Sequence, residues 1–257
     1  MAHPFYNTDM IGTLVNTGTI IAGAILGALL HRGVKDKYKE AVYSALGLAC
    51  LAIGLNATIA NLPKSEFPVL FVVAIALGSV AGTWLDIDGR FHRLVDKIQH
   101  RSGKDVQASS DGVSESTSRT RPSSRLADGL ATACLLYCIG PLSMLGPIVS
   151  ALKGDHTLLF TNATLDLVSS FIFASTYGIG MILAAPVLFC WQGLFWLIAK
   201  ISSAAISDAL MSELLIVGGL LIVSSGLSLL KITDKKTLNM LPSLLVPVIW
   251  FIINAVF

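Results

Sequence analysis

The run from Leu158 to Ala199 constrains the fold of this chain most strongly, because its 42 residues contain a single charged residue, Asp166. A helix of that length, rising 1.5 Å per residue, would be about twice as long as the hydrocarbon core of a bilayer. Pro186 lies near the middle of the run, so we predict two membrane spans joined by a tight turn around Ala184–Pro186. The run therefore predicts a protein that crosses a membrane repeatedly.

Six further apolar runs have the length and the lack of charge that a membrane-spanning helix requires. The composition agrees, since 54% of the residues are hydrophobic and 13% are charged, against roughly 25% charged in soluble domains. The runs are Ile11–Leu30, Ala41–Asn61, Phe67–Leu85, Gly129–Leu152, Leu214–Leu230 and Leu238–Phe257. We therefore predict an all-α integral membrane protein with about eight transmembrane helices.

Lys and Arg residues are concentrated on one side of this predicted topology. Three loops, within residues 31–40, 86–128 and 231–237, contain 15 of the 18 Lys and Arg residues, and eight spans place these loops together. A seven-span count would place the last of these loops opposite the first. Because basic loops stay in the cytoplasm, we expect cytoplasmic basic loops and both termini outside.

The longest predicted loop divides the chain into an N-terminal membrane half, 1–100, and a C-terminal membrane half, 128–257. Phe91, Leu94, Val95 and Ile98 recur at helical spacing and predict an interfacial helix at the end of the first half. Residues 101–127 are rich in Ser, Thr, Gly and charge and lack an apolar period. That composition predicts a disordered cytoplasmic linker.

A short motif recurs in the two halves. Gly47-Leu48 is followed after five residues by Gly54-Leu55, and Gly219-Leu220 is followed after five residues by Gly226-Leu227. In the predicted topology the two spans that contain these motifs run in opposite directions, which is the arrangement of an inverted repeat. A match of this length in Gly-rich apolar sequence is also compatible with coincidence.

The fourth predicted span contains two Gly-Pro pairs, Gly140-Pro141 and Gly146-Pro147. Proline removes a backbone donor and glycine relaxes the helix, so backbone polar groups become free within the membrane. Such a broken helix is a frequent component of ion or substrate sites in transporters. The alternative interpretation is a simple kink.

Asp166 is the leading candidate for an ion-binding or substrate-binding residue, since an intramembrane carboxylate normally faces a cavity, a partner or water. Asn162 lies one turn earlier on the same helix face, and Ser169 and Ser170 follow one turn later. Oxygen ligands of this kind suit a hard monovalent cation or a proton. Asn16 is a further candidate, with interhelical hydrogen bonding as its alternative role. For Asp166 the alternative is a structural hydrogen bond to the broken span.

The sequence contains no phosphate loop, zinc signature, nucleophile elbow or catalytic triad, and we predict neither an enzyme nor a bound cofactor. We expect no nucleic-acid binding either, because no folded basic surface is predicted. The expected partners are the lipid bilayer and a small cation or small solute. The Gly23-x-x-x-Gly27 and Gly78-x-x-x-Gly82 motifs also suggest a homodimer.

Several motifs across the chain resemble the YqgA-like family of bacterial inner-membrane proteins. They are Asn16 with Ala22–Leu30, Gly47-Leu48 through Ile53-Gly54, Gly78 with Gly82, Gly154-Asp155, Leu165-Asp166, Ile172-Phe173-Ala174 and Asn239-Met240-Leu241-Pro242. The resemblance covers nearly the whole chain except Gly103–Arg125. It implies a multi-pass protein of the bacterial inner membrane, from a family of unknown function once described loosely as a sodium channel or pump.

The function that these patterns favour is transport of a small cation or small solute through a site that combines Asp166 and Asn162 with the Gly-Pro pairs. The rival interpretation is a membrane scaffold or sensor that acts through the basic loop between the two halves. Deletion of Gly103–Arg125 distinguishes the two, because a transporter would keep its activity without this segment.

Overall fold

The structure, a computed structural model, describes residues 10–30, 35–90, 93, 130, 133–134, 137–138, 140–204, 206–233 and 237–256. In these ranges all regular secondary structure is helical, which confirms the predicted all-α class. The helices are α1 (Ile11–Leu29), α2 (Asp36–Asn61), α3 (Leu70–Trp84), α4 (Pro141–Lys153), α5 (Thr157–Tyr177), α6 (Ala184–Ile201), α7 (Asp208–Leu229) and α8 (Leu245–Val256), with 3₁₀ turns at Leu62–Lys64, Ile179–Leu183 and Thr237–Leu244. The predicted linker, 101–127, lies outside the described residues, as does most of the predicted interfacial helix.

Six helical segments in the described ranges are long and apolar enough to cross a membrane. The shorter α3 has 15 residues and α4 has 13. Large apolar side chains point outward on most helices, and Leu29, Val80 and Ile59 are each about two-thirds exposed or more. Such a surface is expected of helices that face lipid. The membrane class therefore stands, and the count of eight spans remains a prediction.

The long run that starts at Leu158 does divide into two helices, α5 and α6, but the turn precedes the predicted position. Helix α5 ends at Tyr177, and Gly178 adopts a φ of 89°, which L side chains rarely adopt. The 3₁₀ turn then leads into α6 at Ala184. Pro186 lies in the first turn of α6, where a helix tolerates a residue without an N–H.

Two pairs of helices meet where glycine lets one backbone approach another. Gly23 and Gly27 of α1 lie against the α5 carbonyl groups of Leu167 and Phe171. Gly78 of α3 lies against the backbone nitrogen and the hydroxyl group of Ser243, and Gly82 lies against the carbonyl of Asn239. These motifs therefore pack helices within one chain. The predicted homodimer would have to use other surfaces.

The glycines of the recurring motif meet each other at the crossing of α2 and α7. Gly47 lies against the carbonyl of Gly226, and Gly54 lies against the carbonyl of Gly219. The two helices are therefore antiparallel. The contacts are also reciprocal. Gly47 corresponds to Gly219 in the two motifs, and Gly54 corresponds to Gly226, so replacing each glycine of the first contact by its counterpart gives the second contact. A two-fold axis through the crossing requires this reciprocity.

The helix boundaries repeat with the same sequence spacing as the glycine motif. The shift that carries Gly47 onto Gly219 also carries Leu29, the last residue of α1, onto Ile201, the last residue of α6. It carries Asp36 onto Asp208, and these two residues begin α2 and α7. The end of one helix and the start of the next are thus repeated at equal spacing. This agreement favours the inverted repeat over coincidence.

We predict that Gly54→Ala destabilises the protein by about 1–3 kcal/mol, because a Cβ at Gly54 would overlap the backbone of α7. Gly18→Ala is the matched control, since a Cβ at Gly18 of α1 would meet nothing within 4 Å. Alanine favours a helix over glycine, so the control should be neutral or slightly stabilising. Thermal unfolding in detergent measures both, and equal effects would contradict the close contact between α2 and α7.

Candidate functional site

Among the described residues of the predicted fourth span, the helix is interrupted at Gly140. Tyr137 and Cys138 are helical, Gly140 is extended with φ −70° and ψ 146°, and α4 begins at Pro141. The second Gly-Pro pair does not break the helix. Gly146 lies against Leu159 of α5, and Pro147 lies inside α4. The prediction of a broken span is therefore confirmed for Gly140-Pro141, and the prediction of a second break was wrong.

The two prolines nevertheless leave two carbonyl groups without their standard helical partners. An α-helical carbonyl accepts from the N–H four residues later. The residue four positions after Tyr137 is Pro141, and the residue four positions after Ser143 is Pro147. Proline has no N–H, so the carbonyl groups of Tyr137 and Ser143 cannot accept this bond.

Three contacts fix how α4 and the residues before it lie along α5. The Tyr137 hydroxyl and the Ser170 Oγ are 2.9 Å apart, and the Ser150 Oγ and the His156 Nδ1 are also 2.9 Å apart. Between them, Gly146 lies against Leu159. The two segments are therefore antiparallel. In this register the interruption at Gly140 lies at the level of Asp166.

Asp166 is buried, with 5% of its surface exposed, and its Oδ2 accepts a hydrogen bond of 2.8 Å from the Asn162 Nδ2. Asn16 of α1 is completely buried, and its side chain lies against the Asp166 carboxyl group. The Asn16 Nδ2 makes no hydrogen bond of standard geometry to the described residues. The structure thus brings together Asp166, Asn162, Asn16 and the Gly140-Pro141 break. Gly146 and Pro147 lie about two turns away.

Three further side chains complete a group that the sequence analysis did not identify. The Gln192 Nε2 of α6 donates to the Ser143 Oγ of α4 at 3.3 Å, and both residues are completely buried. Thr13 is also completely buried and precedes Asn16 by one turn of α1. The α4–α5 register places Ser143 at the level of Asn162. We call this group the polar layer, and its members are Thr13, Asn16, Ser143, Asn162, Asp166 and Gln192.

The polar layer contains buried atoms that lack hydrogen-bond partners among the described residues. They are the Thr13 Oγ1 and the Gln192 Oε1. Leaving such an atom unsatisfied costs about 1–3 kcal/mol, and native structures rarely do so without a role for the atom. These atoms belong to two helices, α1 and α6.

The amino end of α4 supplies the positive field in this region. Its first N–H groups have no side-chain cap, and the helix begins at the level of Asp166. The aligned peptide dipoles place about half a positive charge at such an end. Asp166 therefore lies where a carboxylate is favoured, although its hydrogen-bond partner, Asn162, is neutral.

Hydroxyl groups extend the polar layer by one turn of α5. Ser170 contacts the Tyr137 hydroxyl, and Ser169 hydrogen-bonds the Tyr43 side chain of α2. Both serines are buried. A line of oxygen atoms therefore runs from Asp166 towards the end of the bundle where α2 begins. A separate open cavity of about 290 Å³, lined by residues that include Lys153, Lys200 and Asp208, lies near the other end of α4.

The sequence contained signals for two of the missed residues. Gln192 is a polar residue in the same apolar run as Asp166, and Thr13 lies on the same helix face as Asn16. The criterion that selected Asn16, a polar group within an apolar run, selects Gln192 equally well. Ser143 had no such signal, since serine is common in membrane helices.

The fold and this layer define a class: helical membrane proteins with a buried polar centre at a broken helix. Comparison with known protein families shows which family of this class the chain belongs to. The chain belongs to the family described as "Protein of unknown function (DUF554)", whose profile matches residues 11–252.

Two relatives show how far the similarity extends. The chain is 45% identical over 247 residues to the "Uncharacterized membrane protein YdfK" of Bacillus subtilis (strain 168), covering 96% of this chain and 98% of the relative. It is 27% identical over 240 residues to the "Uncharacterized protein YqgA" of Escherichia coli (strain K12), covering 92% and 94%. No solved structure matches significantly. The predicted resemblance to the YqgA-like family is confirmed.

We predict that Asn162→Leu destabilises the protein by about 1–3 kcal/mol, because it removes the donor of the 2.8 Å hydrogen bond to the buried Asp166 Oδ2. The double variant with Asp166→Leu should cost less than the sum of the two single variants, since it removes both polar partners. A double-mutant cycle of unfolding free energies in detergent tests this coupling. Additive effects would show that the two side chains do not stabilise each other.

Proposed function

We propose that this membrane protein is a transporter or channel for a small monovalent cation, sodium, potassium or proton, and that Asp166 binds the cation. The observation that carries the proposal is the position of Asp166. It is buried in the polar layer at the level of the Gly140 break, beside neutral amide and hydroxyl groups. Ionisable residues within membrane helices generally mark ion or proton pathways.

The atoms of the polar layer suit such an ion. Asp166 supplies one negative charge, and the Gln192 Oε1, the Thr13 Oγ1 and the Ser143 carbonyl are neutral oxygens without standard partners. Hard cations prefer oxygen ligands of these kinds. One carboxylate balances one positive charge, which favours a monovalent cation. A small neutral solute that hydrogen-bonds to the amide groups is the other substrate class that this layer suits.

The hydroxyl groups beyond Asp166 supply a route to one end of the bundle. Tyr43 lies two turns inside α2, and Ser169 and Ser170 lie between it and Asp166. In the orientation that we propose, this end faces the cytoplasm of a bacterial cell, the protein lies in the inner membrane, and both termini face outside.

The architecture supports transport over a purely structural role. Broken helices and inverted repeats recur together in secondary transporters, where the substrate binds between the repeated parts. Here the reciprocal contacts of α2 and α7 favour a repeat, and the polar layer lies between α1 and α6, the first helices of the two repeated units.

The test is cation flux in proteoliposomes, with sodium, potassium and proton measured separately. We expect Asp166→Asn to reduce the flux of the transported cation at least tenfold, because the neutral amide cannot balance its charge. Asp155→Asn is the matched control. Asp155 is exposed before α5, where hydrogen bonds from Thr157 hold its pKa below the ordinary value. Equal flux in both variants would remove Asp166 from the site, and no flux in the wild-type protein would reject cation transport.

We further predict that deletion of Gly103–Arg125 leaves flux within about twofold of wild type. This segment lies outside the described residues, and every residue of the polar layer lies elsewhere in the chain. Loss of flux with normal folding, measured by thermal unfolding, would contradict this prediction and show that transport requires the loop.

A further inference from the structure

A second buried carboxyl group lies between α7 and the connection from α2 to α3. Glu213 is completely buried in the second turn of α7. Its Oε1 accepts hydrogen bonds from the Ser65 Oγ at 2.5 Å and from the backbone N–H of Phe67 at 3.3 Å. Its Oε2 is buried and has no partner among the described residues.

An amide side chain lies at the same level of the neighbouring helix. The Thr58 Oγ1 of α2 donates to the carbonyl of Ile216 at 3.3 Å. Because α2 and α7 are antiparallel, Asn61 then lies at the level of Glu213. Asn61 is buried, and its Nδ2 donates to the carbonyl of Ala57 at 2.8 Å. Its Oδ1 is therefore the side-chain atom that can turn towards a positive charge.

The geometry of the carboxyl group indicates what its Oε2 requires. A carboxylate buried without a balancing charge is costly, so such groups are paired, bind cations or carry a proton. Both donors of Glu213 approach the Oε1, and neither neutral donor cancels a full charge. A cation or a proton bound at the Oε2 would balance the negative charge of the Glu213 carboxyl group and give this oxygen a partner.

We propose that Glu213, with Ser65 and Asn61, forms a second site for a monovalent cation, which is either a proton or an alkali cation bound at the Glu213 Oε2. The site differs from the polar layer, because it lies between α2 and α7 and the polar layer lies among α1, α4, α5 and α6. Ser65 belongs to the connection between α2 and α3, so an occupied site holds this connection against α7.

Two binding measurements on the full chain in detergent identify the cation. In the first, thermal unfolding is followed in sodium, potassium or choline chloride at constant ionic strength. A sodium or potassium site raises the Tm by about 5–10 °C at cation concentrations about a hundred times the Kd. In the second, infrared spectroscopy at neutral pH detects the C=O stretching band of a protonated carboxyl group.

If the site binds sodium or potassium, we expect Glu213→Gln to abolish the cation-dependent rise in Tm. If it binds a proton, we expect Glu213→Gln to abolish one protonated carboxyl band. Glu66→Gln should retain the signal in both cases. Glu66 is the matched control, since it is exposed in the same connection. Asp166→Asn should also retain the signal that Glu213→Gln removes. Loss of that signal in Asp166→Asn would overturn the separation of the two sites.

Ser65→Ala keeps the test decisive if Glu213→Gln does not fold. This variant retains the carboxyl group and removes the short hydrogen bond to its Oε1. It should weaken cation binding at least tenfold or shift the carboxyl band. The proposal is overturned if the wild-type protein shows neither a cation-dependent Tm nor a protonated carboxyl band that responds to changes at Glu213 or Ser65.

Discussion

Backbone contact at glycine is the constraint on which the rest of this structure depends. Gly12, Gly23 and Gly27 bring α1 against α5, and Gly146 brings α4 against the same helix. Helices with larger residues at these positions would separate, and Asn16 could not reach Asp166. In lipid the association of helices relies on such packing and on interhelical hydrogen bonds, because burial of apolar surface provides no driving force. The polar layer therefore depends on the close approach of α1 and α4 to α5.

The break at Gly140 compensates for the cost of burying Asp166. A carboxyl group within a bundle needs donors or a positive field, and a continuous fourth span would supply little of either. The interruption starts α4 at the level of Asp166, so the amino end of that helix faces this level. It also leaves the carbonyl group of Tyr137 without its helical donor. In the role that we propose, the same backbone feature stabilises the carboxylate of Asp166 and supplies an oxygen ligand for the cation.

Much of this arrangement could be predicted from the sequence, because hydropathy and proline act locally. The apolar runs predicted the positions of the helices, and Asp166 and Gly140-Pro141 were identified as candidate site residues without a structure. The turn before α6 was misplaced because Pro186 fits the first turn of a helix as well as a break, and Gly178 carried the reversal instead. Gly146-Pro147 was overinterpreted, since packing against Leu159 keeps that turn helical.

The sequence by itself determined which segments are membrane helices, which of them contains an acid and where a backbone donor is missing, because these properties depend on residues close together in the chain. The tertiary structure alone decided which polar groups come together. Thr13, Ser143 and Gln192 join Asn162 and Asp166 only through the registers of three helix pairs. The surroundings of Glu213 also depend on the tertiary structure, since its hydrogen-bond donors come from a connection about 150 residues away in the sequence. Helix registers follow from the packing of side chains distant in sequence, and no local pattern encodes them.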